Sequence, residues 1–179
     1  MLMMIMLSSS AFAGRVVNFG PAETRIDGSI KYSVIGKYKA QFSQFKGRIE
    51  LDEAKRRVVS VDLEIQAATI ESDCKWCDKI VRSEQLLAAA KFPMITFKSQ
   101  QIIQQENGYM VKGMLDLHGE KREVSFPFQA VMGDNNIDIQ GEWQINRKDF
   151  KIIWNKLLDQ GGVLVGNYIT VNWGIKASV

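Results

Sequence analysis

From about residue 28 to the C-terminus, apolar and polar residues alternate with a period of two. No other feature of the chain limits its fold so strongly, because successive side chains point to opposite faces only in a strand. Ile30, Tyr32 and Val34 share a face in the first run. Gly47, Ile49 and Leu51 alternate with Lys46, Arg48, Glu50 and Asp52, and Val59, Val61, Leu63 and Ile65 alternate with Ser60, Asp62, Glu64 and Gln66. Ile95, Phe97 and Ser99 follow, then Val111, Gly113, Leu115 and Leu117. Val124, Phe126, Phe128 and Ala130 stand opposite Glu123, Ser125 and Gln129. Ile137, Ile139, Gly141, Trp143 and Ile145 form the next face, and Ile169, Val171, Trp173 and Ile175 the last. One apolar and one wet face per strand is the pattern of an antiparallel sheet.

Residues that tolerate tight or left-handed backbone separate these runs: Asp52 to Arg57, Glu106-Asn107-Gly108, His118-Gly119-Glu120 and Gly133-Asp134-Asn135-Asn136. The result is roughly eight strands joined mostly by short hairpins, and a sheet of that size hides its edges by closing into a barrel. Two segments break the rhythm. Asp78 to Lys91, rich in alanine and halted before Pro93, predicts a helix. Phe150, Ile153, Trp154, Leu157 and Leu158, ending at Gly161-Gly162, predict a second, short one. Both are expected to cover barrel ends.

The chain's 179 residues suit one domain with a substantial core. With 46% hydrophobic and 24% charged residues, wholesale disorder is excluded. The net charge of +3 is spread along the chain, and its densest basic pair, Arg56-Arg57, lies beside Asp52 and Glu53, so no nucleic-acid stripe forms. No stretch approaches the ~20 apolar residues of a transmembrane helix. At the N-terminus, apolar Leu2 to Leu7, then Ser8 to Ser10 and Ala11-Phe12-Ala13, match the last two parts of a secretory signal peptide. The expectation is a signal peptide over residues 1–13 whose true start lies upstream, a mature domain over 14–179, and a periplasmic or secreted location. In such a compartment Cys74 and Cys77 are candidates for a disulfide.

The second half carries a pattern seen elsewhere. Lys91-Phe92-Pro93-Met94-Ile95-Thr96-Phe97-Lys98-Ser99 resembles the "yPtitFkS" segment of the YceI-like polyisoprenoid-binding family. Gly108 to Gly119 resembles its "Y.v.G.LtLHG" hairpin, with Lys121-Arg122-Glu123-Val124 where the family has "tkpV". Ile145-Asn146-Arg147-Lys148-Asp149-Phe150 is similar to "iNRsDFgi", and Phe42 to Ile49 to "f..f.G.i". The resemblance implies an exported, lipocalin-like, eight-stranded antiparallel barrel around an elongated pocket for an isoprenoid or other amphiphilic lipid. It implies no metal, no cofactor and no catalytic residue. The chain departs from the family at Val34-Ile35-Gly36, where a His is common, and at Cys74 to Lys79 and the alanine-rich stretch after it, where an acidic region is usual. Both departures bear on the pocket entrance.

The inward residues suit that role, because a face without a carboxylate pair or His cluster dissolves an alkyl chain rather than stabilising charge. Periodicity alone leaves two uses for the inward aromatics, packed core or ligand wall. The expected wall comprises Phe42, Phe45, Ile65, Phe97, Leu115, Phe126, Trp143 and Trp173, with inward Gly47, Gly113 and Gly141 leaving room or allowing bends. His118, Arg122 and Arg147 are candidates for a polar mouth. His118 equally serves as a turn residue, and Arg147 with Asp149 as a structural pair. The ligand is expected to be a polyisoprenoid or an isoprenoid quinone, and a homodimer stays open. Two other readings remain. Cys74-Lys75-Trp76-Cys77 between a strand and a helix is the context of a thiol-disulfide oxidoreductase, though no βαβ unit accompanies it. A filled barrel acting as a scaffold or partner-binding module is the other. Asp78 stands where c-type haem attachment needs His, and the cysteines alone make a poor zinc site.

Overall fold

The computed structural model describes residues 14–32, 36–52, 54, 56–153 and 165–178. The expected signal peptide lies outside them. Among the described residues, eleven strand segments follow in order: β1 (Gly14–Phe19), β2 (Thr24–Tyr32), β3 (Gly36–Phe42), β4 (Phe45–Asp52), β5 (Arg57–Gln66), β6 (Ile70–Glu71), β7 (Met94–Gln105), β8 (Gly108–Leu117), β9 (Glu120–Met132), β10 (Asn136–Asn146) and β11 (Val165–Ser178). The helix α1 (Lys75–Arg82) interrupts them between β6 and β7.

The pairings reduce eleven segments to eight strands. β1 pairs β4 and β2 pairs β3, so residues 14–32 and 36–52 form one long hairpin interrupted midway. Likewise β4 pairs β5 while β3 pairs β6, across a 3-10 turn at Ala67–Thr69. Each of β1–β2, β3–β4 and β5–β6 is therefore one bent strand. The remaining ladders run β5 to β7, β7 to β8, β8 to β9, β9 to β10, β10 to β11 and β11 back to β2, all antiparallel. The cycle closes, giving the eight-stranded antiparallel barrel that the alternation predicts.

Hairpin topology gives the barrel two unlike ends. At one lie the ends of β4, β7 and β9 and the starts of β5, β8 and β10, and Arg56 links two of these hairpins by donating to the Met132 carbonyl. Val17, Ile49, Leu51, Val58, Tyr109, Ile137, Ile139 and Ala177 are buried at this end and fill it. At the other end lie the long connection from β6 to β7 and the turns beside His118 and Arg147. Here His118 Nδ1 lies 3.1 Å from the Phe150 carbonyl oxygen, and the His118 and Phe92 rings are 4.9 Å apart.

Two expectations need correction, and a third falls largely outside the described residues. The helix predicted over Asp78–Lys91 starts earlier, at Lys75, and stops at Arg82. Ser83 ends it, donating from its amide and hydroxyl to the Ile80 carbonyl. Ala88 then takes φ 46°, and Ala88 and Ala89 are buried under the barrel end. Small side chains fit there where a continued helix would not, so packing overrides alanine's helix propensity. Of the second predicted helix, Phe150 closes a 3-10 turn at Arg147–Phe150, and residues 154–164 lie outside the described residues. Val59, expected inward, is the extra residue of a bulge: Glu50 faces Ser60 but Leu51 faces Val58, and Val58 is the buried one.

Candidate ligand-binding site

Between the filled end and the cap lies a cavity offering about 240 Å³ to the centres of water-sized molecules. That is on the order of twenty times what one water needs, so the interior is hollow. Its wall is built from alternate residues of the strands. Phe42, Ile65, Phe97, Leu115, Phe126, Trp143 and Trp173 all line it. The rings support one another: Phe126 stacks on Trp143 at 4.8 Å and lies edge-on to Trp173 at 6.2 Å, while Phe97 lies 5.2 Å from Phe126.

Phe45 is the exception, buried but outside the lining. β1, which the alternation did not reveal, brings Phe19 opposite Gly47, and the Phe19 ring takes that part of the wall. A Cβ on Gly47 would stand 1.9 Å from that ring. The same holds at Gly113, 2.6 Å from the Phe97 ring, and at Gly141, 2.7 Å from the Trp173 indole. These glycines do not leave empty space; they let aromatic rings lie flat on the backbone of the next strand. The glycine that does leave space is Gly28 on β2, where a Cβ would meet nothing within 4 Å.

The polar candidates are placed apart. His118 has φ 58° in the turn between β8 and β9 and does not line the cavity. Arg122 is exposed, and its Nε donates to the Asp149 carbonyl at 2.8 Å. Both fasten the turn after β10 to the β8–β9 hairpin. Arg147 alone of the three borders the cavity. Only 1% exposed, it donates to the carbonyls of Gly166 (2.8 Å), Ile152 (2.5 Å) and Val165 (3.3 Å), pinning this turn to the start of β11. Burial pushes its guanidinium below the usual arginine range.

A cap formed by α1 and the residues after it completes the wall at the end opposite the filled one. Val81 of α1, with Leu86 and Leu87 beyond it, faces the cavity, as do Tyr38 and Ala40 of β3. Cys74 and Cys77 are joined in a disulfide at the start of α1, beside the fully buried Asp78. Tyr38 donates to Asp78 at 2.9 Å, and the Ser72 amide and hydroxyl do so at 3.1 and 2.5 Å. Burial alone would raise the Asp78 carboxyl, but these bonds outweigh it and hold it below the ordinary range. Burial likewise pushes the Tyr38 phenol up to about 12. Tyr38, Ala40 and Phe42 alternate with Lys37, Lys39 and Gln41, a signal that could have revealed β3; nothing comparable marks the cap residues.

Comparison with known proteins decides the relationship. The YceI-like domain model matches residues 18–177. This chain belongs to the YceI-like family. A UPF0312 protein of Vibrio cholerae serotype O1 is 26% identical over 147 residues, covering 78% of this YceI-like chain and 78% of that protein. The crystal structure of Burkholderia cenocepacia BcnA superposes with a TM-score of 0.76 at 20% identity, over 87% of this chain and 97% of that one. A polyisoprenoid binding domain from Saccharophagus degradans, described as implicated in plant cell wall breakdown, gives 0.70 at 13% identity, over 92% and 98%. At such identities the likeness shows a shared fold. Among the described residues, no helix of the YceI-like chain is long and apolar enough to cross a membrane.

Proposed function

We propose that this chain is a non-catalytic, exported carrier or sink that holds a polyisoprenoid or an isoprenoid quinone inside its barrel. The hollow, aromatic-walled interior carries this reading, supported by the family and by the polyisoprenoid-binding description of one structural neighbour. Burying one isoprene unit gains about 4 kcal/mol at about 0.8 kcal/mol per carbon, much of it offset by ordering the chain. Binding is reversible burial; no bond is made or broken.

The test is organic extraction and mass spectrometry of protein purified from its own periplasm, with native mass spectrometry for stoichiometry. One isoprenoid lipid per chain is expected. Protein that emerges empty, and takes up no isoprenoid when offered one, overturns the reading. N-terminal sequencing of the same sample should find Gly14 first. The disulfide at the start of a helix supports a second reading, thiol-disulfide exchange. Catalytic reduction of insulin that Cys77→Ser abolishes would establish it in place of the first.

A further inference from the structure

Resting on the lipid reading above, we propose that the Cys74–Cys77 disulfide controls how firmly the cap is shut, so that its reduction speeds release of the bound lipid. The cap forms part of the cavity wall through Val81, Leu86 and Leu87. Two polar fastenings hold α1 to the strands beside it: Asp78 to Tyr38 of β3, and Arg82 to the Ile70 carbonyl of β6, with Nε at 3.1 Å. Tyr38 and Ile70 themselves line the cavity, so both fastenings sit on its rim.

The disulfide sets the geometry of the first fastening. α1 has eight residues, well below the roughly 12–15 at which an isolated helix becomes marginally stable in water. Its first turn is held by the covalent link and by the Cys77 amide donating to Cys74 Sγ at 3.2 Å. Ser72 extends the same arrangement, accepting from the Cys74 amide at 3.1 Å while donating to Asp78. Cys74, Cys77, Ser72 and Asp78 thus form one unit, and Tyr38 is its contact with the barrel wall. Reduction breaks the S–S bond: an external dithiol supplies two electrons and two protons, Cys74 and Cys77 become thiols, and the dithiol leaves as its own disulfide. The first turn then frays, since its amides lose the fixed cap. Asp78 leaves Tyr38, and the cap loosens over the mouth.

The experiment follows transfer of geranylgeraniol from loaded protein into phosphatidylcholine vesicles, with the protein oxidised or reduced by dithiothreitol. Reduction is expected to raise the release rate about tenfold, in line with losing a hydrogen bond to a buried carboxylate. Cys74→Ser/Cys77→Ser should release as fast under either condition. Tyr38→Phe, which removes one hydroxyl, should raise release similarly while oxidised, and reducing that variant should add less than about twofold, because both changes undo one latch. Equal rates for oxidised and reduced wild type, or effects that multiply, overturn the latch and leave the lipid reading intact. A chain that takes up no geranylgeraniol overturns both. Should the cysteine variant fail to fold, reduction of the wild type gives the same comparison without substitution.

Discussion

Gly28 and Gly141 show how one residue type takes opposite roles. Both face inward on neighbouring parts of the wall, yet a Cβ at Gly28 meets open cavity and one at Gly141 meets the Trp173 ring. Gly28→Leu should therefore fold normally while lowering isoprenoid affinity by about tenfold or more, because its side chain occupies ligand space. Titration of the purified variant checks this; unchanged affinity would mean that the ligand does not pass this wall. Gly141→Val should destabilise the protein by about 1–3 kcal/mol in urea unfolding, through overpacking. Phe126→Ala should cost about 3 kcal/mol by the same measurement, since it removes the ring shared by Phe97, Trp143 and Trp173.

At the scale of elements, the cap has its own pH window. Asp78 titrates below its unfolded value of 3.8, so its contribution is present above pH 3.8 and lost as pH falls through the folded value beneath it. Tyr38 is shifted the other way, from 10.0 to about 12. Its contribution is present below pH 10 and fades as pH rises towards 12. Protection of the α1 amides from hydrogen exchange, taken relative to their intrinsic rates at each pH, should be greatest between these limits and fall at both ends, and Tyr38→Phe should remove the alkaline arm. The strands that form the cavity were legible in the alternation because one face of each is wet. β1 was not, since only Val17 and Phe19 of its six residues turn inward, too few for a period to show. The bulge at Val59 was illegible because neighbouring valines satisfy either register, and Ala88 because no local signal opposes a helix there. Ile65, Phe97, Leu115, Phe126, Trp143 and Trp173 stand in the alternating runs and line the cavity, whereas Phe42 lines it from β3, whose alternation was not read. The latch was not legible, since Tyr38 and Asp78 are 40 positions apart and meet only through the closed barrel.

For the molecule as a whole, the hollow interior couples stability to occupancy. On the lipid-binding role proposed above, native protein would bind lipid and the unfolded chain would not, so ligand at a hundred times its dissociation constant would add about 2.7 kcal/mol. For a chain of this size that raises Tm by about 5–10 °C. Scanning calorimetry before and after delipidation measures the difference, and identical midpoints would mean a barrel indifferent to its contents. The filled end, meanwhile, makes the barrel a blind sack rather than a tunnel. A guest held as proposed would back out the way it came, so two guests could not pass each other, and a donor and an acceptor would take turns at the same doorway.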